Sequence, residues 1–277
     1  MFGVSRQVYY RRIKSRRKQQ DTALAVVEQV RKVRMQMPRL GTRKLYYMLE
    51  QPLKALSVGR DRLFLILKAN HMLVAPARTY RITTNSHHRF HKHKNLIDGL
   101  PISRPEQVWV ADITYLGNRE KPAYLTLITD AYSKKIVGYS VGAHLDTRNC
   151  IKALKMANAG RQYRSEKLIH HSDRGIQYCS NEYQHVLKKY KINCSMTESY
   201  DPYQNAVAER VNGILKQEFA IDKYKVDICI LEKIVAESVQ IYNKDRPHYS
   251  CHFKTPEQMH LQREVMIRTY KTNPRPK

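Results

Sequence analysis

Three carboxylates carry the chemistry this sequence could do. Asp112 sits inside the strand-like run VWVADITYL. Asp173 ends a short apolar run over Lys167 to His171. Glu209 lies in the helix-like stretch NAVAERVNGILKQEF. Thirty-five residues separate Asp173 from Glu209. Two carboxylates on strands and one on a helix suit a pair of divalent cations. Magnesium is a hard ion that takes oxygen ligands and keeps several waters. Two such ions about 4 Å apart can clamp the attacking and leaving oxygens of a phosphodiester. Other acids read differently: Asp130 ends a strand, and Asp146 starts a helix, where N-capping accounts for it. The sequence has no G-x-S-x-G word and no Walker loop, so nothing points to a covalent protein nucleophile.

The elements that must position these acids follow from periodicity. Gln107–Leu116, Tyr124–Thr129 and Lys135–Val141 are strand-like, with Ser133 and Lys134 at a hairpin turn. A helix over Asp146–Ala159, a strand over Lys167–His171, a helix over Asn181–Lys189 and a strand over Ile192–Met196 come next. Three strands followed by alternating helix and strand describe an α/β mixed sheet. In the Glu209 helix, Val207, Val211, Ile214 and Leu215 form one stripe at 100° per residue. Glu209, Asn212, Gly213 and Lys216 fall roughly opposite, and Gly213 would let a backbone approach closely. Lys216 reads as a phosphate or base contact, or as a solvated lysine. His171 points to the same side as Asp173 and suits a supporting hydrogen bond better than a metal or phosphate contact. Before the helix, a loop holds Glu198 and Asp201. Its Tyr200, Tyr203, Gln204 and Asn205 either stack on or bond splayed bases or are ordinary loop residues. A last helix over Val226–Asn243 carries the stripe Leu231, Ile234, Val235, Ser238.

Upstream, spacing predicts a helix over Asp21–Met37, with Asp21 as N-cap and Pro38 as the stop. Two more, Gly41–Glu50 and Ser57–Asn70, stand either side of the breaker Pro52. The three resemble a helix-turn-helix unit. Its last helix would offer Arg60 and Arg62 to base edges, with Arg43 and Lys44 nearer the phosphates. A three-helix packing module with a solvated basic face is the plainer alternative. Residues 87–94, HHRFHKHK, hold His87, His88, His91 and His93. With no cysteine or carboxylate nearby they read as a basic strap along DNA rather than a closed zinc site. The layout is then a basic arm (1–18), a helix-turn-helix-like domain (19–75), a His-rich linker (76–104), the α/β core (105–262) and a basic tail (263–277).

Charge names the partner. Net charge is +26. Residues 1–100 hold 22 Lys/Arg against 5 Asp/Glu. Lys and Arg neutralise phosphates and release counterions, so a polyanion, DNA before RNA or anionic lipid, is the expected partner. Hydrophobic residues make up 42%, enough for a packed core. No apolar run reaches 18 residues, and no secretory signal opens the chain. Five scattered cysteines, none in a C-x-x-C pair, argue against a disulfide scaffold and fit a reducing cytosol.

Five ordered words then carry a resemblance. They are Trp109 with Asp112-Ile-Thr-Tyr115; His171-Ser-Asp-Arg-Gly-Ile-Gln-Tyr178; Tyr200-Asp-Pro-Tyr-Gln-Asn-Ala-Val-Ala-Glu209; Tyr242-Asn243 with Arg246-Pro247-His248; and Thr255-Pro256-Glu257. Over roughly residues 1–260 the chain resembles the second-frame (OrfB) transposases of a large group of bacterial insertion sequences, with a DDE core like that of retroviral integrases. The resemblance implies an RNase H-like five-stranded mixed sheet, with Asp112, Asp173 and Glu209 as catalytic metal ligands. It implies two Mg2+ ions, replaceable by Mn2+, and contacts to double-stranded DNA that include Arg174. It implies nicking of element ends, then strand transfer by the freed 3′-hydroxyl without ATP. It further implies at least a dimer, a circular or figure-eight intermediate, and a helix-turn-helix protein encoded upstream, whose join the first residues look like. A non-catalytic regulatory partner of a full-length fusion is the competing function. A phage or retroelement integrase would carry a zinc domain or a C-terminal barrel, and neither is read here.

Overall fold

The protein was analysed as a computed structural model that describes residues 5–75, 93–117, 122–197 and 205–267. The chain divides into two compact units, Met1–Ala77 and Arg78–Lys277.

The first unit is all helical. Helix α1 spans Arg6–Gln36. The expected start at Asp21 is therefore wrong, and the basic run is helix rather than a free arm. Ser5 is the N-cap and accepts from the Val8 N–H at 3.4 Å. Arg, Lys and Gln have good helix propensity, and nothing between Ser5 and Asp21 breaks the helix. Only its second half is packed, through Val26, Val27 and Val30. Helices α2 (Thr42–Met48), α3 (Glu50–Ala55) and α4 (Arg60–Ala69) follow. Pro52 does not break the chain but lies in the first turn of α3, where a missing N–H costs no helical hydrogen bond. Leu45, Leu53, Leu63 and Leu67 close the small core. Arg34 ties it by donating to the carbonyls of Met72 and Leu40 at 2.7 and 3.2 Å.

The second unit is built on one sheet. Its strands are β1 (Val108–Gly117), β2 (Pro122–Asp130), β3 (Ile136–Gly142), β4 (Ile169–Ser172) and β5 (Asn193–Met196), in the spatial order β3-β2-β1-β4-β5. The first three pair antiparallel, while β4 joins β1 and β5 joins β4 in parallel. This is the expected RNase H-like arrangement. Lys134, at φ 65°, makes the β2–β3 turn. Helices α5 (Thr147–Ala159), α6 (Ile176–Cys179) and α7 (Asn181–Lys189) supply the crossovers. Asp146 caps α5, accepting from the Arg148 N–H at 3.0 Å. A Cβ on Gly138 would come within 2.2 Å of the Ala153 carbonyl, so glycine is what lets α5 lie so close to β3.

Alternation along β1 sorts the two faces. Trp109, Ala111 and Ile113 share a core with Leu154 of α5 and with Tyr183 and Leu187 of α7. Val108 and Val110 turn the other way, toward Ala208 of α8 (Ala206–Glu218). Helices α9 (Ile228–Lys244) and α10 (Pro256–His260) complete the unit. Thr255 caps α10 in a capping box with Gln258. Two expected boundaries shift. Ile97, Leu100 and Ile102, placed in the linker, pack into the α8-side core. Residues 263–267, placed in the tail, pack on the core unit: the Glu264 N–H reaches the Ser103 carbonyl at 2.9 Å, and the Val265 N–H reaches the Tyr132 hydroxyl at 3.0 Å.

Candidate active site

Register brings two of the acids side by side. In the parallel β1–β4 pair, Ala111 lies opposite Ser172. The next residues on the two strands are Asp112 and Asp173. By parity Asp112 belongs to the face of Val108 and Val110, the face that α8 covers. A direct contact fixes this: the Asn212 side chain on α8 donates to Asp112 Oδ2 at 2.7 Å. Asp112 Oδ1 accepts its neighbour's N–H, from Ile113, at 2.9 Å. Asp173 closes a turn just past β4, with Oδ1 accepting from the Gly175 N–H at 3.1 Å. A Cβ on Gly175 would stand 3.0 Å from that same oxygen, so the glycine keeps the carboxylate uncrowded. Glu209 lies in the first turn of α8, exposed, three residues before Asn212. On a helix that spacing makes neighbours.

Asp112 feels the other two carboxylates. Burial first, and then the charge of Asp173, push the half-buried Asp112 carboxyl up to about 7; Glu209 adds to the rise, while the bonds from Asn212 and Ile113 oppose it. Burial also raises Glu209. Like charges gathered on a partly desolvated face are what a hard cation relieves, and all the oxygens are of the type magnesium takes. The donor set therefore fits a divalent ion. It is not closed around one: among the described residues, no three His, Cys, Asp or Glu side chains form a ready-made metal cage.

The other expected contacts fall out unevenly. Asn205 is buried, and its amide donates to the Ala111 carbonyl at 3.1 Å, so it ties the start of α8 to β1 instead of facing DNA. His171 is buried too, with Nδ1 2.9 Å from Ser195 Oγ. That contact is a hydrogen bond inside the core, between β4 and β5. Arg174 and Lys216 are half-buried near the acids' strand and helix. Arg43, Arg60 and Arg62 are exposed and Lys44 half-exposed on the helical unit; Arg60 leans on its neighbour Asp61 at 2.9 Å. Tyr203 lies outside the described residues, as do Tyr200, Gln204, Glu198, Asp201, His87, His88 and His91. Gly213 meets no neighbour that a Cβ would crowd, so the expected close approach is absent among the described residues. The residue that sequence reasoning left unassigned is Asn212. Its signal was its place one turn after Glu209, on the face opposite the apolar stripe.

Comparison with known proteins fits this geometry. Residues 102–202 match the family described as integrase core domain, and residues 190–256 match a second family of the same description. Over 260 residues the chain is 36% identical to the insertion element IS600 uncharacterized 31 kDa protein of Shigella sonnei, covering 90% of this chain and 92% of that protein. The chain belongs to the insertion-sequence transposases of the IS3 type. Transposase InsF of insertion sequence IS3A from Escherichia coli (strain K12) is 33% identical over 172 residues, covering 58% of this chain and 59% of InsF. Among solved structures, the catalytic core of the HTLV-2 integrase in complex with magnesium aligns over 57% of this transposase and 97% of that core, at 22% identity and a TM-score of 0.45. By its family matches and its relatives this chain is a DNA transposase with an integrase core, a polynucleotidyl transferase by class. No helix among its described residues is long and apolar enough to cross a membrane.

Proposed function

We propose that Asp112, Asp173 and Glu209 hold two magnesium ions, and that this centre first nicks the ends of the element and then joins the freed 3′-hydroxyl to a target strand. The observation that carries the reading is the β1–β4 register, which sets Asp112 beside Asp173 under the helix that bears Glu209. When bound, such ions polarise a phosphodiester and lower the pKa of a water. The chain's own part is to hold the acids. Asn212 and the Ile113 N–H orient Asp112, the Gly175 N–H orients Asp173, and Asn205 anchors α8 on β1. Arg174 and Lys216 supply positive charge near the phosphates. Both steps break one phosphodiester and use an oxygen nucleophile, water and then the 3′-hydroxyl. Neither needs ATP. The intact acids on one face favour catalysis over a purely regulatory role. The working form is an oligomer on DNA in the bacterial cytosol, alone or joined to an upstream helix-turn-helix segment. The test is cleavage of a duplex oligonucleotide bearing the element's end. Nicking that appears with Mg2+ or Mn2+ and stops with chelator supports the reading; chelator-resistant nicking defeats it.

Two further outcomes are expected. Asn212→Ala removes the donor on Asp112 Oδ2 and should lower the nicking rate about 10- to 100-fold, the range for groups that orient a metal ligand. Rates measured at saturating DNA check this, with circular dichroism as the fold control. DNA affinity should also fall steeply with salt, by roughly 10³–10⁵ between 50 and 200 mM if 6–10 phosphates are contacted. Filter binding checks the slope. Changing Arg11, Arg12, Arg16 and Arg17 on the exposed half of α1 to Gln should flatten it.

A further inference from the structure

The Tyr242-Asn243 and Arg246-Pro247-His248 words have no place at the carboxylates, yet they are built into the fold in detail. Arg246 is 1% exposed. Its Nε and Nη2 donate to Glu218 Oε2 and Oε1 at 2.8 and 2.9 Å, a two-point fork. Its Nη1 donates to His248 Nε2 at 2.7 Å, and the guanidinium stands 5.7 Å from the Tyr242 ring centre. The same segment grips the sheet. The Tyr242 hydroxyl donates to the Lys134 carbonyl at 2.9 Å. The Asn243 amide answers both the N–H and the C=O of Ile136, each at 2.9 Å, as a neighbouring strand would. The end of α9 is therefore fixed to the β2–β3 turn and to the outer edge of β3. Through Arg246 it is fixed to Glu218, the last residue of α8.

We propose that the Arg246–Glu218 fork is a positioning device for the reaction, setting the rotation of α8 and with it the aim of Glu209. Glu218 lies nine residues beyond Glu209, about 13–14 Å along the axis and about half a turn round it. A fork on the opposite side of the helix resists rotation about the axis. Side chains reach about 5–6 Å from that axis, so a rotation of about 10° moves a carboxylate by about 1 Å. Misplacement of that size can cost about 10²-fold in rate. Arginine is required because its planar fork matches a carboxylate at two points, whereas lysine is a single-point charge. The proposal rests on the reading of Glu209 as a metal ligand.

Metal titrations of nicking by the full chain test it, using Arg246→Lys and Glu218→Asp. Each keeps its charge and breaks the fork: lysine offers a single point, and aspartate stops one methylene short of the guanidinium. The metal concentration for half-maximal rate should rise about tenfold or more, with DNA affinity unchanged and most of the rate recovered at saturating Mn2+. An unchanged metal requirement in folded variants overturns the proposal. So does an equal loss of DNA binding and rate. If neither variant folds, the fork is only a stability element and the proposal falls. Glu209→Gln separates this from the underlying reading. Nicking retained there rejects Glu209 as a ligand, whereas loss there with no metal shift in Arg246→Lys rejects only the positioning role.

Discussion

Asp112→Asn, Asp173→Asn and Glu209→Gln are each expected to lower metal-dependent nicking by at least about 10³-fold, about 4 kcal/mol in the barrier, while DNA affinity stays within about threefold. The amides keep size and shape and remove the anionic oxygen that a hard cation needs. Binding survives because it rests on the basic surface, not on the acids. Thermal stability sharpens the expectation. Asp112 is held with its carboxyl pushed up by burial and by the charge of Asp173, so the folded chain bears a cost for it. Asp112→Asn removes that cost and keeps one acceptor oxygen, enough for the Asn212 donor or the Ile113 N–H but not both. Its Tm in metal-free buffer should equal or exceed that of the parent protein. An acid placed for structure gives the opposite result. Nicking within tenfold of the parent in any one variant would remove that residue from the centre.

The acids were legible because each ended or interrupted a hydrophobic run whose period was clear. Strands β1 to β5 and helices α5, α7, α8 and α9 fall within a few residues of their periodic signals. Strand order was not legible from periodicity, which records only which face of an element is buried. It came from the resemblance. The first half of α1 was missed for a related reason: it buries nothing, so no stripe marks it, and its helicity rests on propensity and the Ser5 cap. Pro52 misled because proline breaks a helix interior but not a first turn. The least legible group was the buried polar residues. Asn212 meets Asp112 across 100 residues, Arg246 meets Glu218 across 28, and Asn205 meets Ala111 across 94. A polar residue on a helix is read as solvent-facing unless its distant partner is known. Asn212 was placed on the face of Glu209 but given no partner, and Asn205 was read as a loop residue, while the apolar stripe Val207, Val211, Ile214, Leu215 was placed on the packed side.

Asp130→Ala is expected to destabilise the core unit by about 3–5 kcal/mol, the range for removing one partner of a buried charged network. Asp130 is fully buried. Its Oδ2 accepts from the Glu106 N–H, and its Oδ1 from the N–H and hydroxyl of Ser133, all at 2.7 Å. His260 of α10 completes the cluster, with Nδ1 2.9 Å from Ser133 Oγ and Nε2 3.5 Å from Glu106 Oε1. Glu106 in turn accepts the N–H groups of Gln162 and Tyr163, both at 2.8 Å. One network thus joins the start of β1, the end of β2, the segment before β4 and the last helix. Burial works against every charge in it. The bonds to His260 still hold Asp130 and Glu106 below their ordinary values, and the bonds to Asp130 and Glu106 hold His260 above its own. The signs fix the pH profile. The carboxylate contribution is present above the usual 3.8 and 4.5 of free Asp and Glu, and is lost as pH falls through their lowered folded values. The His260 contribution is present below the 6.5 of a free imidazole and is lost as pH rises through its raised value. Urea unfolding should therefore give greatest stability between about pH 4.5 and 6.5, and His260→Gln should remove the fall on the alkaline side. A His260→Gln profile parallel to that of the parent would reject the network as its source. Metal-dependent nicking by folded Asp130→Asn should keep its metal requirement, because the bonds of Asp130 run to Glu106 and Ser133 and not to Asp112. Two aspartates on adjacent strands are thus pushed in opposite directions. Asp130 is drawn down by donors that hold the fold together, and Asp112 is driven up by burial and by the neighbouring charges that a cation would neutralise.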